Sequence, residues 1–352
     1  MKILVISLAG IGDTLFATPL IHELRASFPA ATIDALVMWP GARDLLENNP
    51  HVNRVWQKNL IKGGRMEGMQ FLRSLRRERY QFSINTHPQS RMHYRIAAWL
   101  AGAEVRISHE YECFTGPDRW LINRTLPQNY SLPAVENNLA TLPMIGAKQT
   151  LPSHELEIFL RPEELKWADD FLAQNSLAGK NWLGIHVGSG GTKNLALRRW
   201  PLKNFIDLAR RLEAEKPGLP ILFFGGPEEA KAHETLHHLL PTAVFPPTQN
   251  LRQAAAMLRH ARCFLSVDTA LMHVAAAMRV PGQVVIETPS WNKPIEPYGN
   301  PFTLVKNPAV NGRNLDFYRY DGRGLKGTPE ELLAIMESVR VPDVLAAILR
   351  QL

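Results

Sequence analysis

Short apolar runs, each followed by a stretch with helical periodicity, alternate along most of this chain, and that order is the signature of parallel sheets with helical crossovers. In the first part, strands are predicted over 3–8, 32–38 and 81–85, and helices over 14–27, 67–78 and 94–101. A less legible, Pro-rich region leads to about residue 160. After a helix over 163–176 and a break at Gly179-Lys180-Asn181, the alternation restarts. Strands follow over 182–187, 221–224, 263–267 and 283–287, with helices over 202–215, 228–240, 251–260 and 269–278. At 352 residues the chain exceeds one ordinary core and suits two. The expected fold class is α/β with two doubly wound, Rossmann-like domains, 1–160 and 161–328. A last helical pattern over 329–352, interrupted at Pro342, is expected to cross back onto the first domain. Doubly wound sheets bind ligands beyond the carboxyl ends of their strands, so two of them facing across a cleft offer one substrate site each.

Composition removes several classes of function. No apolar run approaches the ~20 residues of a membrane span. The chain enters a strand at Lys2-Ile3-Leu4-Val5-Ile6, which leaves no room for a leader, so a cytoplasmic protein is expected. Cys113 and Cys263 lie in neither a paired nor a metal-ligand spacing and are expected to be buried thiols. No D-x-D sequence is present to hold a divalent ion, and no metal is expected. A net charge of +7 points to an anionic partner. The excess is concentrated where Lys58, Lys62, Arg65, Arg73, Arg76, Arg77 and Arg79 stand against Glu67 and Glu78. That stretch lacks the interleaved aromatics of a base-stacking surface, which argues against nucleic acid.

Four constellations carry chemistry. In Ala9-Gly10-Ile11-Gly12-Asp13-Thr14, directly after the first strand, glycines permit a tight turn and close ligand approach. The third glycine of a dinucleotide fingerprint is replaced by Leu15. Asp13 suits either a general base or the cap of a helix beginning at Thr14, and Pro19 is expected to kink that helix. The second constellation, His186 to Lys193 followed by Arg198-Arg199-Trp200-Pro201, combines Gly188, Ser189, Gly190, Gly191 and Thr192 with cations ahead of a helix, as a diphosphate requires; a plain surface loop is the alternative. The third runs from Ser266 to Ala277, where the amides of Thr269, Ala270 and Leu271 open a helix toward an anion, with Asp268 before them and His273 one turn on. An N-capping Asp and a core His are its structural alternative. In the fourth, Gly225-Gly226-Pro227-Glu228-Glu229, Glu228 is placed to accept from ribose hydroxyls or simply to start a helix.

Together these residues resemble glycosyltransferase family 9, which includes the ADP-heptose transferases of lipopolysaccharide inner-core assembly. The family's G-D-x-x-x-x-x-P pattern stands as Gly12 to Pro19, its [KR]-x-W-P as Arg198 to Pro201, and its D-[ST]-G-x-x-H-x-A-A-A as Asp268 to Ala277, with Ala270 in place of the glycine. The resemblance implies a GT-B fold with the acceptor on the first domain and the donor on the second. It further implies an inverting, metal-independent reaction. By the same carry-over Asp13 is the base, with Gly12 beside the donor, Ser189, Thr192, Lys193 or Arg198 at the diphosphate, and Glu228 at the ribose. Asp268 would then contact the sugar, while Thr269, Ala270, Leu271 and His273 hold the diphosphate. Lys58, Lys62, Arg65 and Arg119 would meet an anionic, lipid-linked glycan acceptor, and the same basic surface would rest peripherally on the cytoplasmic face of an inner membrane. The competing expectations are a GT-B transferase using a UDP-hexose for O-antigen or capsule, and a non-catalytic sugar-nucleotide binder.

Overall fold

The structure, a computed structural model, describes residues 1–60, 62, 64–191, 193–318 and 324–352. Two compact units form, one over Met1–Phe159 and the other over 160–318 with 324–352. The first carries strands β1 (Lys2–Ser7), β2 (Thr32–Val37), β3 (Arg54–Gln57), β4 (Phe82–Asn85), β5 (Val105–Glu110) and β6 (Arg124–Pro127). They pair in the order β3-β2-β1-β4-β5-β6, all parallel. In the central strand β1, the side chains from Ile3 to Ser7 are all buried, because helices cover both faces of a parallel sheet. Ile3 lies between Ile33 and Phe82 in register.

The second unit is built on β7 (Leu183–His186), β8 (Ile221–Phe224), β9 (Cys263–Ser266), β10 (Gly282–Ile286) and β11 (Phe302–Val305). These are again parallel, in the order β11-β10-β9-β7-β8. The strand order reverses between β1 and β4 in one sheet and between β7 and β9 in the other, and a crevice at the carboxyl ends of those strands is where such sheets take ligands.

Several expectations change. The helix expected over 14–27 is two helices, Ile11–Leu15 and Thr18–Ser27, and Pro19 falls in the first turn of the second, where its missing N–H costs nothing. The final helices, Pro329–Glu337 and Val341–Leu349, belong to the second unit. Val341, Val344, Leu345, Ala347 and Ile348 instead share a buried cluster with Leu183, Trp200 and Leu265 of the second. Trp200 fixes that arrangement by donating its indole N–H to the Val339 carbonyl at 2.9 Å. Cys263 is buried, and its burial pushes the thiol pKa up to about 12. Cys113, expected to be buried, is exposed. Among the described residues no helix is long and apolar enough to cross a membrane.

Candidate functional site

Asp13 reaches the carboxyl end of β1 by a route different from a simple cap. The helix starts at Ile11 with Gly10 as its N-cap, which makes Asp13 the third helical residue. From there its carboxylate reaches back to accept the Gly10 N–H at 2.6 Å, one half of a capping box. A Cβ on Gly10 would stand 2.7 Å from that carboxylate, so a side chain there would push the Asp13 carboxylate aside. The surrounding floor is fixed by hydrogen bonds. Gln89, after β4, accepts from Leu8 N–H at 3.2 Å, its own N–H donates to the Tyr111 hydroxyl oxygen at 2.9 Å, and Trp39 donates to the Ala9 carbonyl at 2.6 Å. Burial raises the Tyr94 and Tyr111 pKa values, and the nearby Asp13 charge adds to both shifts. Gly12 is buried in the same short helix, on the first unit, whereas the other residues assigned to the donor belong to the second.

On the second unit, Arg198, Asp268 and His273 come together at the start of helix Ala270–Ala277. Thr269, in extended conformation, is the N-cap, so Asp268 is not the cap. Its carboxylate is paired with Arg198 Nη1, and both side chains are nearly buried. The cation expected at a diphosphate is thus paired with the acid expected at the sugar. Arg198 Nε is buried without a hydrogen-bond partner among the described residues. Burial holds the His273 imidazole down at about 4; Asp268 pulls the value up and Arg198 pushes it down, so the ring is neutral near pH 7. Ala270 is the first residue of a right-handed helix, which explains why it is tolerated where the family pattern has glycine.

The loop after β7 is built against two acids. Ser189, expected to offer its hydroxyl to a ligand, donates it to the Leu195 carbonyl at 2.9 Å instead. Lys193 is exposed, with a left-handed φ of 59°. Thr192 lies outside the described residues. Glu228 is exposed beside Gly191, where a Cβ would meet its Oε2 at 2.5 Å, and it lies 4.0 Å from Arg199.

The residue the sequence reading passed over is Glu229. It is buried, accepts Gly226 N–H at 2.9 Å and meets Arg199 at 3.4 Å, while Arg199 also donates to the Ser189 carbonyl at 3.0 Å. The signal was available: Gly226-x-x-Glu229 repeats the spacing of Gly10-x-x-Asp13, an acid three residues after an N-cap glycine. A Cβ on Gly188 would stand 2.1 Å from Glu229 Oε1. Gly188→Ala is therefore expected to displace the Glu229 side chain from Arg199 and to cost about 1–3 kcal/mol, read as a lowered denaturation midpoint.

The expected acceptor residues lie on the first unit. Lys58 pairs with Glu67, in the first turn of helix Arg65–Leu75, which Arg65 opens. Lys62 is exposed, with its N–H on Asn59 at 2.9 Å, and Arg119 is exposed on helix Asp118–Leu121. Among the described residues, one trio of potential metal ligands occurs away from these sites, at His22, His51 and Glu157. The two imidazoles stack 3.8 Å apart and 15° from parallel, so their in-plane lone pairs run side by side instead of converging on an ion.

Buried neutral histidines impose a pH dependence. Burial lowers His273 and His109 from 6.5 to about 4 each. Between those values the unfolded chain binds protons that the fold refuses, so the contribution is complete above about pH 6.5 and is lost as pH falls toward 4. Each is expected to remove about 2 kcal/mol at pH 5, checked by denaturant titrations at pH 7 and pH 5, with His109→Gln removing its share of the slope.

Comparison with known proteins matches this geometry to a family. The model of glycosyltransferase family 9 (heptosyltransferase) matches residues 69–315. Lipopolysaccharide heptosyltransferase 3 of Escherichia coli is 26% identical over 286 residues, covering 77% of this chain and 78% of its own. A solved family 9 glycosyltransferase from Veillonella parvula superposes with a TM-score of 0.76 at 19% identity, over 99% of this chain and 96% of that one. The E. coli ADP-heptose lipopolysaccharide heptosyltransferase II does so with a TM-score of 0.69 at 22% identity, over 100% and 98%. These likenesses show a GT-B fold, with its two doubly wound units. With the family model matched over most of its length, the chain belongs to glycosyltransferase family 9, the heptosyltransferase family, and is a glycosyltransferase.

Proposed function

We propose that this enzyme moves a heptosyl group from ADP-heptose to the inner core of lipopolysaccharide, onto a lipid A–Kdo or already heptosylated acceptor, with inversion and without a metal. The observation that carries the reading is the group formed by Arg198, Asp268 and His273 at the opening amides of helix Ala270–Ala277. A cation, an acid and a neutral imidazole beside unsatisfied amides match the parts of a sugar diphosphate: Arg198, His273 and the amides of Thr269 to Leu271 for the phosphates, Asp268 for sugar hydroxyls. Lys193 would add charge at the diphosphate, and Glu228, at the end of β8, would accept from the ribose. The names of the relatives support the donor and the acceptor class.

In the reaction so assigned, Asp13 takes the proton of an acceptor hydroxyl as its oxygen attacks the anomeric carbon from the face opposite the diphosphate. The bond from that carbon to the phosphate oxygen breaks, and its electron pair leaves with ADP. Charge grows on the departing phosphate, where preorganised donors stabilise it by several kcal/mol. Lys58, Lys62, Arg65 and Arg119 supply positive charge for an anionic acceptor.

Nucleotide choice is the test. ADP at about a hundred times its Kd is expected to add ~2.7 kcal/mol of stability, seen as a raised Tm, with UDP and GDP giving much less at equal concentration. A larger shift with UDP would replace the heptosyl donor by a UDP-sugar.

A further inference from the structure

The helix that carries Asp13 is mounted where β1 and β4 stop pairing. In register, Ile6 faces Asn85, and the Thr86 N–H reaches the Ile6 carbonyl at 3.0 Å. One step further, a parallel ladder would send the Leu8 N–H to the Thr86 carbonyl and would then need an N–H from Pro88, which has none. The ladder ends there. Leu8 and Thr86 are both buried, so their backbone groups need partners other than water. Gln89 supplies them: its Oε1 accepts the Leu8 N–H at 3.2 Å, and its Nε2 donates to the Thr86 carbonyl at 3.0 Å and to the Ile6 carbonyl. With one N–H on one side and two carbonyls on the other, only one orientation of the amide fits. A side-chain amide thus stands between two strand ends that would otherwise bond directly.

The same residue reaches the next strand of the sheet. Its main-chain N–H donates to the Tyr111 hydroxyl oxygen at 2.9 Å, just past the end of β5, and that hydroxyl also meets His87 Nδ1 at 3.0 Å. The His87 N–H goes to Asn138 Oδ1 at 2.7 Å, and Asn138 Nδ2 donates to the Phe16 carbonyl at 3.0 Å. Phe16 closes helix Ile11–Leu15, while only Ala9 and Gly10 separate Leu8 from its first residue. Segment 86–89 therefore grips the Asp13 helix at both ends. Gln89, His87, Tyr111 and Asn138 are all buried, so they act on the chemistry only through what they hold.

We propose that Gln89 is a positioning residue for sugar transfer: by bridging Leu8 and Thr86 it sets where the Asp13 carboxylate points in the crevice at the ends of β1 and β4. The lever is short, because that carboxylate is tied to the Gly10 N–H at 2.6 Å, two residues from the bridged Leu8. A shift of about 1 Å in a reacting group costs on the order of a hundredfold in rate. The inference rests on Asp13 as the base. A core glutamine that only stabilised the fold would affect the denaturation midpoint and leave the turnover of folded enzyme alone.

Gln89→Met keeps the length of the side chain and loses its hydrogen bonds. With ADP-heptose and a deacylated acceptor, at a temperature where circular dichroism shows the variant folded, kcat is expected to fall about ten- to a hundredfold, with the acceptor KM and the Kd for ADP within about twofold. An effect exerted through Asp13 disappears with the base, so in the Asp13→Asn background Gln89→Met is expected to lower the residual kcat by less than about twofold. Should Gln89→Met not fold, Tyr111→Phe carries the same cycle, since it removes the hydroxyl that holds the Gln89 N–H. Its expected loss is smaller, about three- to tenfold in kcat, and again absent beside Asp13→Asn. Unchanged kcat, equal losses of kcat and ADP affinity, or a loss that persists in the Asp13→Asn background would overturn the positioning role and leave Asp13 as the base. Full turnover by Asp13→Asn alone would overturn the base, and the positioning role with it.

Discussion

Replacing Asp13 with Asn is expected to lower kcat by about a hundred- to ten-thousand-fold while leaving the Kd for ADP within about twofold. Asn is the informative substitution because its side-chain oxygen can still accept the Gly10 N–H that Asp13 holds at 2.6 Å, so the short helix keeps its start. What Asn lacks is the ability to take a proton. Asp13→Ala removes both functions and is expected to add a stability loss of about 1 kcal/mol from the orphaned amide. A parallel loss of kcat and of ADP affinity in the Asn variant would assign Asp13 to donor binding instead of proton transfer. Initial rates with saturating acceptor, alongside calorimetric titration of ADP, separate the two outcomes.

The second large effect concerns Arg198. Removing one member of a nearly buried ion pair leaves the other charge uncompensated, at a cost of about 3–5 kcal/mol. Arg198→Ala is therefore expected to lower the denaturation midpoint strongly and, by taking away a donor aimed at the growing phosphate charge, to reduce kcat/KM about a hundred- to a thousandfold. A double variant distinguishes folding from chemistry. Arg198→Met with Asp268→Leu removes both charges and is expected to regain most of the lost stability, yet to remain as inactive as the single variant. Arg198→Lys keeps the charge but loses the planar fork and is expected to fall between. Restored activity in the apolar double variant would remove both residues from the donor site.

The fully buried strands were legible because burial on both faces leaves an almost unbroken apolar run. Leu183–His186, Ile221–Phe224 and Cys263–Ser266 fall within a residue or so of the pattern read from the chain. Arg54–Gln57, Val105–Glu110, Arg124–Pro127 and Phe302–Val305 were missed: each is only partly buried, and the first three mix polar with apolar residues. The break between the first two helices was hidden for the opposite reason. Leu15, Phe16, Leu20, Ile21 and Leu24 are all buried, so the helical period runs on through the interruption at Phe16-Ala17. At the site, local motifs located Asp13, Asp268 and His273, but not the partnership of Asp268 with a residue 70 positions earlier. Both members looked like ligand contacts, and only the fold shows that each first serves the other. The same limit applies to Glu229, whose grip on Arg199 depends on β7 and β8 lying side by side.

The most direct measurement combines the purified enzyme with ADP-heptose and a deacylated lipid A–Kdo acceptor, following ADP release, acceptor mass and the anomeric configuration of the product. One heptose is expected on the acceptor per ADP released, in the configuration opposite to the donor, undiminished by EDTA and formed at least about a hundredfold more slowly with Asp13→Asn. Retained configuration, ADP release with no sugar on the acceptor, or full turnover by Asp13→Asn would contradict it.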